Sequence, residues 1–226
     1  MMKRTITVLA SLLILGATST KAESADSYEE FEESKIRINV TGELNSADAW
    51  ELEAGCHWFP IPFVGVGGSL GYYRQFSTTD IARGDTWWTN EDSEKAQNLF
   101  LHPSAIFFSP YIFRKSDYAI CLYGELGTLL TIPYDRIDID INPNEVRIPE
   151  NRKSISSSKG AWCFFDGKIG LSLRVNKGTI TLGYSYSTLD VYAQRRTMKY
   201  DNQKFDQFYP KAKGTHGAFL SIQIGL

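Results

Sequence analysis

Three short runs of this sequence have the residue types and spacing that chemistry uses. His102 and Ser104 stand two residues apart, so on an extended strand they share a face. An imidazole there can take a hydroxyl proton and make the oxygen a nucleophile. The pair wants an acid behind the ring; Asp92 and Glu94, on the adjoining polar stretch, are the acids within reach, and neither is clearly placed to orient it. The other histidines, His57 and His216, fall on separate segments. Asp138, Asp140, Asn142 and Asn144 recur at every second position, like the start of an oxygen-ligand Ca²⁺ loop. That template needs Gly at its sixth position and Glu at its twelfth, where this chain has Pro143 and Pro149. A small hairpin accounts for the run instead, with Ile137, Ile139 and Ile141 alternating with the acids and Val146 and Ile148 returning. No metal or other cofactor is expected. Arg83-Gly84-Asp85 spells an integrin-type tripeptide, which is common by chance, and leads into Trp87-Trp88. Those two rings are either a loop contact for a bilayer surface or ligand, or rings folded back over the neighbouring loops.

The elements that must carry these residues are strands. The last thirteen residues set Ala218, Leu220, Ile222, Ile224 and Leu226 against Gly217, Phe219, Ser221, Gln223 and Gly225. A period of two gives one apolar face and one small or polar face. Such a strand needs a partner on both edges, because an open edge leaves N–H and C=O groups unpaired. It is read as a closing strand that pairs with the preceding strand and with the first.

Seven more strands come before it. They are expected at 36–44, 50–58, 64–75, 99–114, 118–132, 161–175 and 179–192. The Phe59-Pro60-Ile61-Pro62 segment is expected to end the second ladder, because proline has no N–H to donate. Lys115-Ser116-Asp117 and Asn176-Lys177-Gly178 read as tight turns, the latter with Gly178 where a positive φ is needed. Connections after strands two, four and six are short; those after three, five and seven are long, and the one after strand one is a short exception.

Residues 1–22 are set aside as an export signal. Lys3 and Arg4 precede the apolar run 6–16, and Thr20-Lys21-Ala22 ends on a small residue. Residues 23–34 form a flexible acidic leader, and 35–226 one β domain. Of 24 basic residues, Lys3, Arg4 and Lys21 leave with the signal; 21 remain against 26 acidic, a net of −5. That balance gives no reason to expect nucleic acid. The three cysteines, Cys56, Cys121 and Cys163, fall on different faces and ends, which suits buried packing residues rather than a disulfide framework.

Which face meets which medium decides the rest. Arg37, Glu43, Glu51, Glu53, Glu125, Asp166, Lys168 and Arg174 all fall on the polar faces, while the opposite faces carry almost no charge. Mixed charges can pair inside a narrow lumen, so the apolar set is expected to look out at lipid. Trp50 and Trp58 bracket the apolar face of strand two. Eight residues at ~3.3 Å, tilted by about 40°, project to roughly 20 Å along the axis, which sets the two rings near the two interfaces. Tyr72, Tyr118, Tyr184, Tyr192 and Phe113 add ring material at those levels. Eight strands enclose a lumen that side chains can fill, so a wide pore is not expected. The opposite choice, apolar side inward, would describe a soluble lipocalin-like carrier in the periplasm.

The C-terminal alternation, the Trp58-Phe59-Pro60-Ile61-Pro62 turn running into Val64-Gly65-Val66-Gly67-Gly68-Ser69-Leu70-Gly71-Tyr72-Tyr73, and the export segment together resemble small outer-membrane β-barrel proteins of Gram-negative bacteria. The resemblance implies an all-β fold: an eight-stranded antiparallel up-and-down transmembrane β-barrel with short periplasmic turns and longer outer loops. It also implies outer-membrane lipid as surroundings and the barrel-assembly machinery as a partner during insertion. That machinery reads an alternating C-terminal strand usually ending in an aromatic, from which Leu226 departs. Family members are structural, adhesive or lipid-modifying. The expectation here is a non-enzymatic structural or surface-interaction role through outer loops whose ligand is unknown. The alternative is a lipid A hydrolase using His102 and Ser104 near the outer rim.

Overall fold

The computed structural model describes residues 34–77, 81–115, 117–141, 151–211 and 214–226. The expected export signal, the acidic leader up to residue 33 and the expected hairpin turn and return over 142–150 lie outside the described residues. Eight long strands form a ring: β1 (Ile36–Asn45), β2 (Ala49–Ile61), β3 (Val64–Gln75), β5 (Gln97–Phe108), β7 (Ala119–Thr131), β10 (Cys163–Val175), β11 (Gly178–Ser187) and β14 (Thr215–Gly225). Each pairs antiparallel with its neighbour in the ring, and β14 pairs with β1 from Arg37↔Gly225 to Asn45↔Gly217. The chain is a closed, eight-stranded, up-and-down antiparallel barrel. Along β1 the pattern is strict: Arg37, Asn39, Thr41, Glu43 and Asn45 are buried, and Ile36, Ile38, Val40 and Leu44 are exposed.

The ladder departs from the sequence reading at its prolines and turns. β2 continues through Pro60 to Ile61 because the register shifts between Trp58 and Ile61, a bulge that leaves the missing N–H outside the ladder. The expected fourth strand stops at Phe108. Ser109-Pro110 bends the chain there, and the two-residue β6 (Phe113–Arg114) folds back onto β7. At the β10–β11 turn the positive φ falls on Asn176 (50°), and Gly178 instead pairs with Val175 in the ladder. β11 ends at Ser187, five residues earlier than expected, so Tyr192 turns inward over the lumen and is buried.

The long connections are folded. β4 (Trp87–Thr89), β8 (Asp135–Ile141) and β9 (Asn151–Ser157) make a three-stranded sheet at the long-loop end of the tube. A short helix α1 (Glu91–Glu94), two 3₁₀ turns (Arg195–Thr197 and Phe205–Gln207) and the pair β12 (Lys199–Tyr200) and β13 (Gln203–Lys204) complete a cap. Its core holds Trp87, Ile137, Ile139, Leu189, Val191, Met198, Phe205 and Tyr209, continuous with Tyr73, Phe100, Leu129 and Phe164 from the barrel wall.

Candidate functional site

The lumen collects charged side chains and shields them from solvent. Strand alternation puts them there, and three layers follow along the axis. At the short-turn end, Arg37 lies over the Phe59 ring at 4.1 Å and the Phe108 ring at 5.5 Å. The Arg174 guanidinium donates to the Tyr111 hydroxyl at 2.7 Å. Cations held on ring faces gain attraction from the ring quadrupole, so the layer closes that mouth with aromatic bulk.

The middle layer is ionic. Lys168 on β10 donates to Glu53 on β2 at 2.5 Å, although Glu125 is its register partner on β7. β10 and β2 stand four places apart in a ring of eight, so this bond crosses the barrel axis. Glu53 also takes His102 Nδ1 at 2.9 Å, while Asp166 lies 3.4 Å from His102 Nε2 and 3.8 Å from Lys168 Nζ. The imidazole fits because residue 127, on the adjacent strand β7, is glycine. A Cβ there would come within 2.4 Å of His102 Nε2. Beside this cluster, Ser104 donates to Glu125 at 2.6 Å and Tyr123 donates to the other oxygen of Glu125 at 2.5 Å. His57 Nε2 meets Ser104 Oγ at 3.0 Å, and His57 Nδ1 meets Asn39 at 3.2 Å. The Ser104 proton is committed to Glu125, so the ring nitrogen of His57 donates to Ser104.

Toward the cap, Glu43 and Glu51 stand directly opposite on β1 and β2. Ser185 donates to Glu43 and Asn45 to Glu51, each at 2.5 Å. Gln75 then links the wall to the cap by donating to the Tyr192 hydroxyl at 3.0 Å. All eight charged residues singled out in the sequence are therefore buried in this lumen, Glu53 and Lys168 at 2% exposure.

Other sequence candidates fall elsewhere. His102 is not near the outer rim; it is fully buried in the middle layer, and Ser104 meets His57 rather than His102. Glu94 does not reach His102. It is buried in the cap, where Tyr209 donates to it at 2.8 Å and Arg195 lies at 3.5 Å. His216 faces out, stacked on Tyr184 at 6.0 Å. Of the three cysteines expected to be buried, Cys121 is, whereas Cys56 and Cys163 are exposed on the outward-facing side of their strands. Trp87 is no loop contact: it is 1% exposed and stacks on Phe205 with rings 3° from parallel. A flat, apolar ring this large gains more from burial in the cap core than from contact with water. Trp88, half-buried, stands opposite Asp140 in the β4–β8 ladder. Trp50 tilts against Tyr72 at 5.4 Å on the outer wall, Trp58 and Tyr184 are exposed there, and Tyr118 packs on Phe113 at 5.8 Å.

Arg195, Asp135, Glu94 and Tyr209 form a cluster that no spacing in the sequence announces. Arg195 is 1% exposed, bonds Asp135 at 2.6 Å and the Ser93 carbonyl at 2.9 Å, and donates to the Glu94 carbonyl. Burial pushes the Glu94 carboxyl above its usual range, against the Tyr209 hydrogen bond and the Arg195 charge. Burial also raises the Tyr209 phenol, and the neighbouring Glu94 charge adds to it.

The outer wall identifies the solvent. Ile38, Leu44, Leu52, Leu70, Leu101, Leu122, Ile169, Leu171, Leu182, Leu220 and Ile222 are each between 43% and 66% exposed. This band encircles the tube, far beyond the ~300–600 Å² that the largest patch of a soluble monomer reaches. The chain is an eight-stranded transmembrane β-barrel. No protein-family model matches its sequence. No curated protein matches it either. Solved structures similar to it include a major outer membrane protein from Thermus thermophilus, at 10% identity over 84% of this chain and 98% of that one, with a TM-score of 0.44. Neisserial surface protein A is similar at 10% identity over 84% and 96%, TM-score 0.41. The outer membrane enzyme PagL is similar at 9% identity over 84% and 99%, TM-score 0.39. Likeness at this level concerns shape and carries nothing about activity.

Proposed function

We propose that this protein is a non-enzymatic integral protein of the bacterial outer membrane, a sealed barrel that anchors a folded cap at the cell surface. The carrying observation is the Lys168–Glu53 bond across the axis, set between aromatic layers at both ends. A tube closed from wall to wall passes no solute, which leaves the cap as the part exposed to partners. Outer-membrane lipid surrounds the apolar band, and the barrel-assembly machinery inserts the chain through its alternating β14. The cap's role is structural or adhesive, through loops whose ligand its surface does not name.

The hydrolase reading asks for a nucleophile and base open to lipid. Ser104 and His57 are buried at mid-lumen, and Ser104 gives its proton to a carboxylate rather than to the ring. A soluble carrier asks for an apolar ligand cavity, whereas the middle of this lumen is filled by ion-paired and hydrogen-bonded side chains. The test is expression of the full chain in a Gram-negative host. Detergent-dependent extraction, heat-dependent gel mobility and lipid A spectra unchanged by Ser104→Ala are expected. Release by osmotic shock, or a lipid A acyl chain that returns in Ser104→Ala cells, overturns the reading.

A further inference from the structure

Charge in the middle and cap-side lumen does not balance. Among the described residues, five carboxyl groups, Glu43, Glu51, Glu53, Glu125 and Asp166, face inward around one lysine and the imidazole of His102. Arg37 and Arg174 belong to the aromatic layer at the short-turn end, with the ionic layer between them and Glu43. Both Lys168 and His102 are engaged by Glu53 and Asp166. Glu125 is held by two hydroxyl donors. The remaining two carboxyls, Glu43 and Glu51, are register partners on adjacent strands, where inward Cβ atoms lie ~4.5–5.5 Å apart. Around them, β11 contributes the Ser185 hydroxyl and β1 the Asn45 amide. β3 faces in with Tyr73 and Gln75, and β14 with Thr215, Phe219 and Ser221; the cation whose charge reaches both glutamates is Lys168 on β10, and its ammonium is already bonded to Glu53. One oxygen of Glu43, in a side chain at 7% exposure, has no hydrogen-bond partner among the described residues. Two like charges so close, away from water, cannot both persist without a positive charge between them.

We propose that Glu43 and Glu51 form a proton-binding site, a carboxyl–carboxylate pair sharing one proton in an O–H···O bond beneath the cap. The proton comes from solvent and its binding breaks no covalent bond. It supplies the donor that the free Glu43 oxygen lacks and joins β1 to β2 from inside the tube. The site stands on lumen geometry and is independent of what the cap binds.

Infrared spectroscopy of the full chain, folded in detergent micelles at neutral pH, tests it. A protonated-carboxyl C=O band is expected in the unaltered chain. It is lost in Glu43→Gln and equally in Glu51→Gln, because the new amide N–H donates to the remaining carboxylate. It persists in Glu125→Gln and Asp166→Asn. Absence of the band, loss of it only in those two controls, or its disappearance on adding sodium or calcium chloride would each overturn the proposal, the last by showing a metal ion in the proton's place. Should a glutamine variant not fold, alkaline titration of the unaltered chain, followed in the infrared by the carboxyl band alone, decides: conversion of one carboxyl to carboxylate supports the pair, and conversion of none or of two overturns it.

Discussion

The lumen and the cap close the same tube with opposite chemistry. In the lumen, polar side chains meet: Lys168 reaches Glu53 across the axis, and Thr41 donates to Ser221, its register partner on the neighbouring strand, at 2.8 Å. In the cap, rings meet: Trp87 on Phe205 at 5.7 Å and Tyr192 on Tyr209 at 4.9 Å, with one buried arginine as staple. The difference follows from what each stretch has outside it. A wall strand must spend its apolar positions on lipid, so polar and small residues are left to fill most of the interior. Loops beyond the bilayer have no such duty and can turn their large side chains inward, as a water-soluble domain does.

The sharpest way to break this contrast is to remove the central cation. Lys168→Met leaves Glu53 and Asp166 buried without their ammonium, a change that costs about 3–5 kcal/mol. Denaturant unfolding of the chain in detergent should show it, and adding Glu53→Gln should restore part of the loss. Equal loss in the single and the double variant would mean that the bond across the axis is not what holds the lumen.

Trp87→Ala should cost about 3–5 kcal/mol, but in the cap alone. Proteolysis and amide exchange should rise in 81–96, 132–141 and 188–211 while the barrel keeps its heat-dependent mobility. If the barrel's unfolding midpoint fell by as much, cap and lumen would be one cooperative unit and the contrast would fail. Gly127→Ala is smaller, about 1–3 kcal/mol for overpacking against His102. It acts only on the lumen, and trimming His102 to Ala in the same chain should relieve it.

The wall was legible because it obeys a period of two. Ile38-Asn39-Val40-Thr41 assigns each side chain to a medium before any partner is known, and so the eight charged positions could be placed on one face. Who pairs with whom was not legible. Lys168 and Glu53 are 115 residues apart, and their meeting depends on ring order, not on spacing. Spacing alone sets His102 too near the rim, because level in a tilted barrel depends on register with both neighbours. The cap was hidden for another reason: Tyr200, Phe205, Phe208 and Tyr209 follow no regular period, so a dense aromatic cluster reads as connection. Glu94 and Arg195 carry no signal that would join them across that gap.

The smallest effect separates cap from lumen by pH, through two carboxyls of the cap that are shifted in opposite directions. Glu94 is raised above 4.5 by burial. The folded cap therefore binds more protons there than the unfolded chain, so this stability is full below 4.5 and is lost as pH rises through the raised value. Asp140 is lowered below 3.8: desolvation opposes the shift, but hydrogen bonds from Arg152 and Asn90 outweigh it. Its contribution is present above 3.8 and is lost as pH falls through the lowered value. The Arg152 side chain is 54% exposed, so solvent screening keeps the contribution of that pair small. Cap stability, followed by tryptophan fluorescence in denaturant, should peak between the two ordinary values. Glu94→Gln should flatten the limb above 4.5, and Asp140→Asn the limb below 3.8. A cap in which both limbs survive both substitutions takes its pH dependence from the lumen carboxyls beneath it, and the boundary between the two regions would then lie below Gln75 and Tyr192.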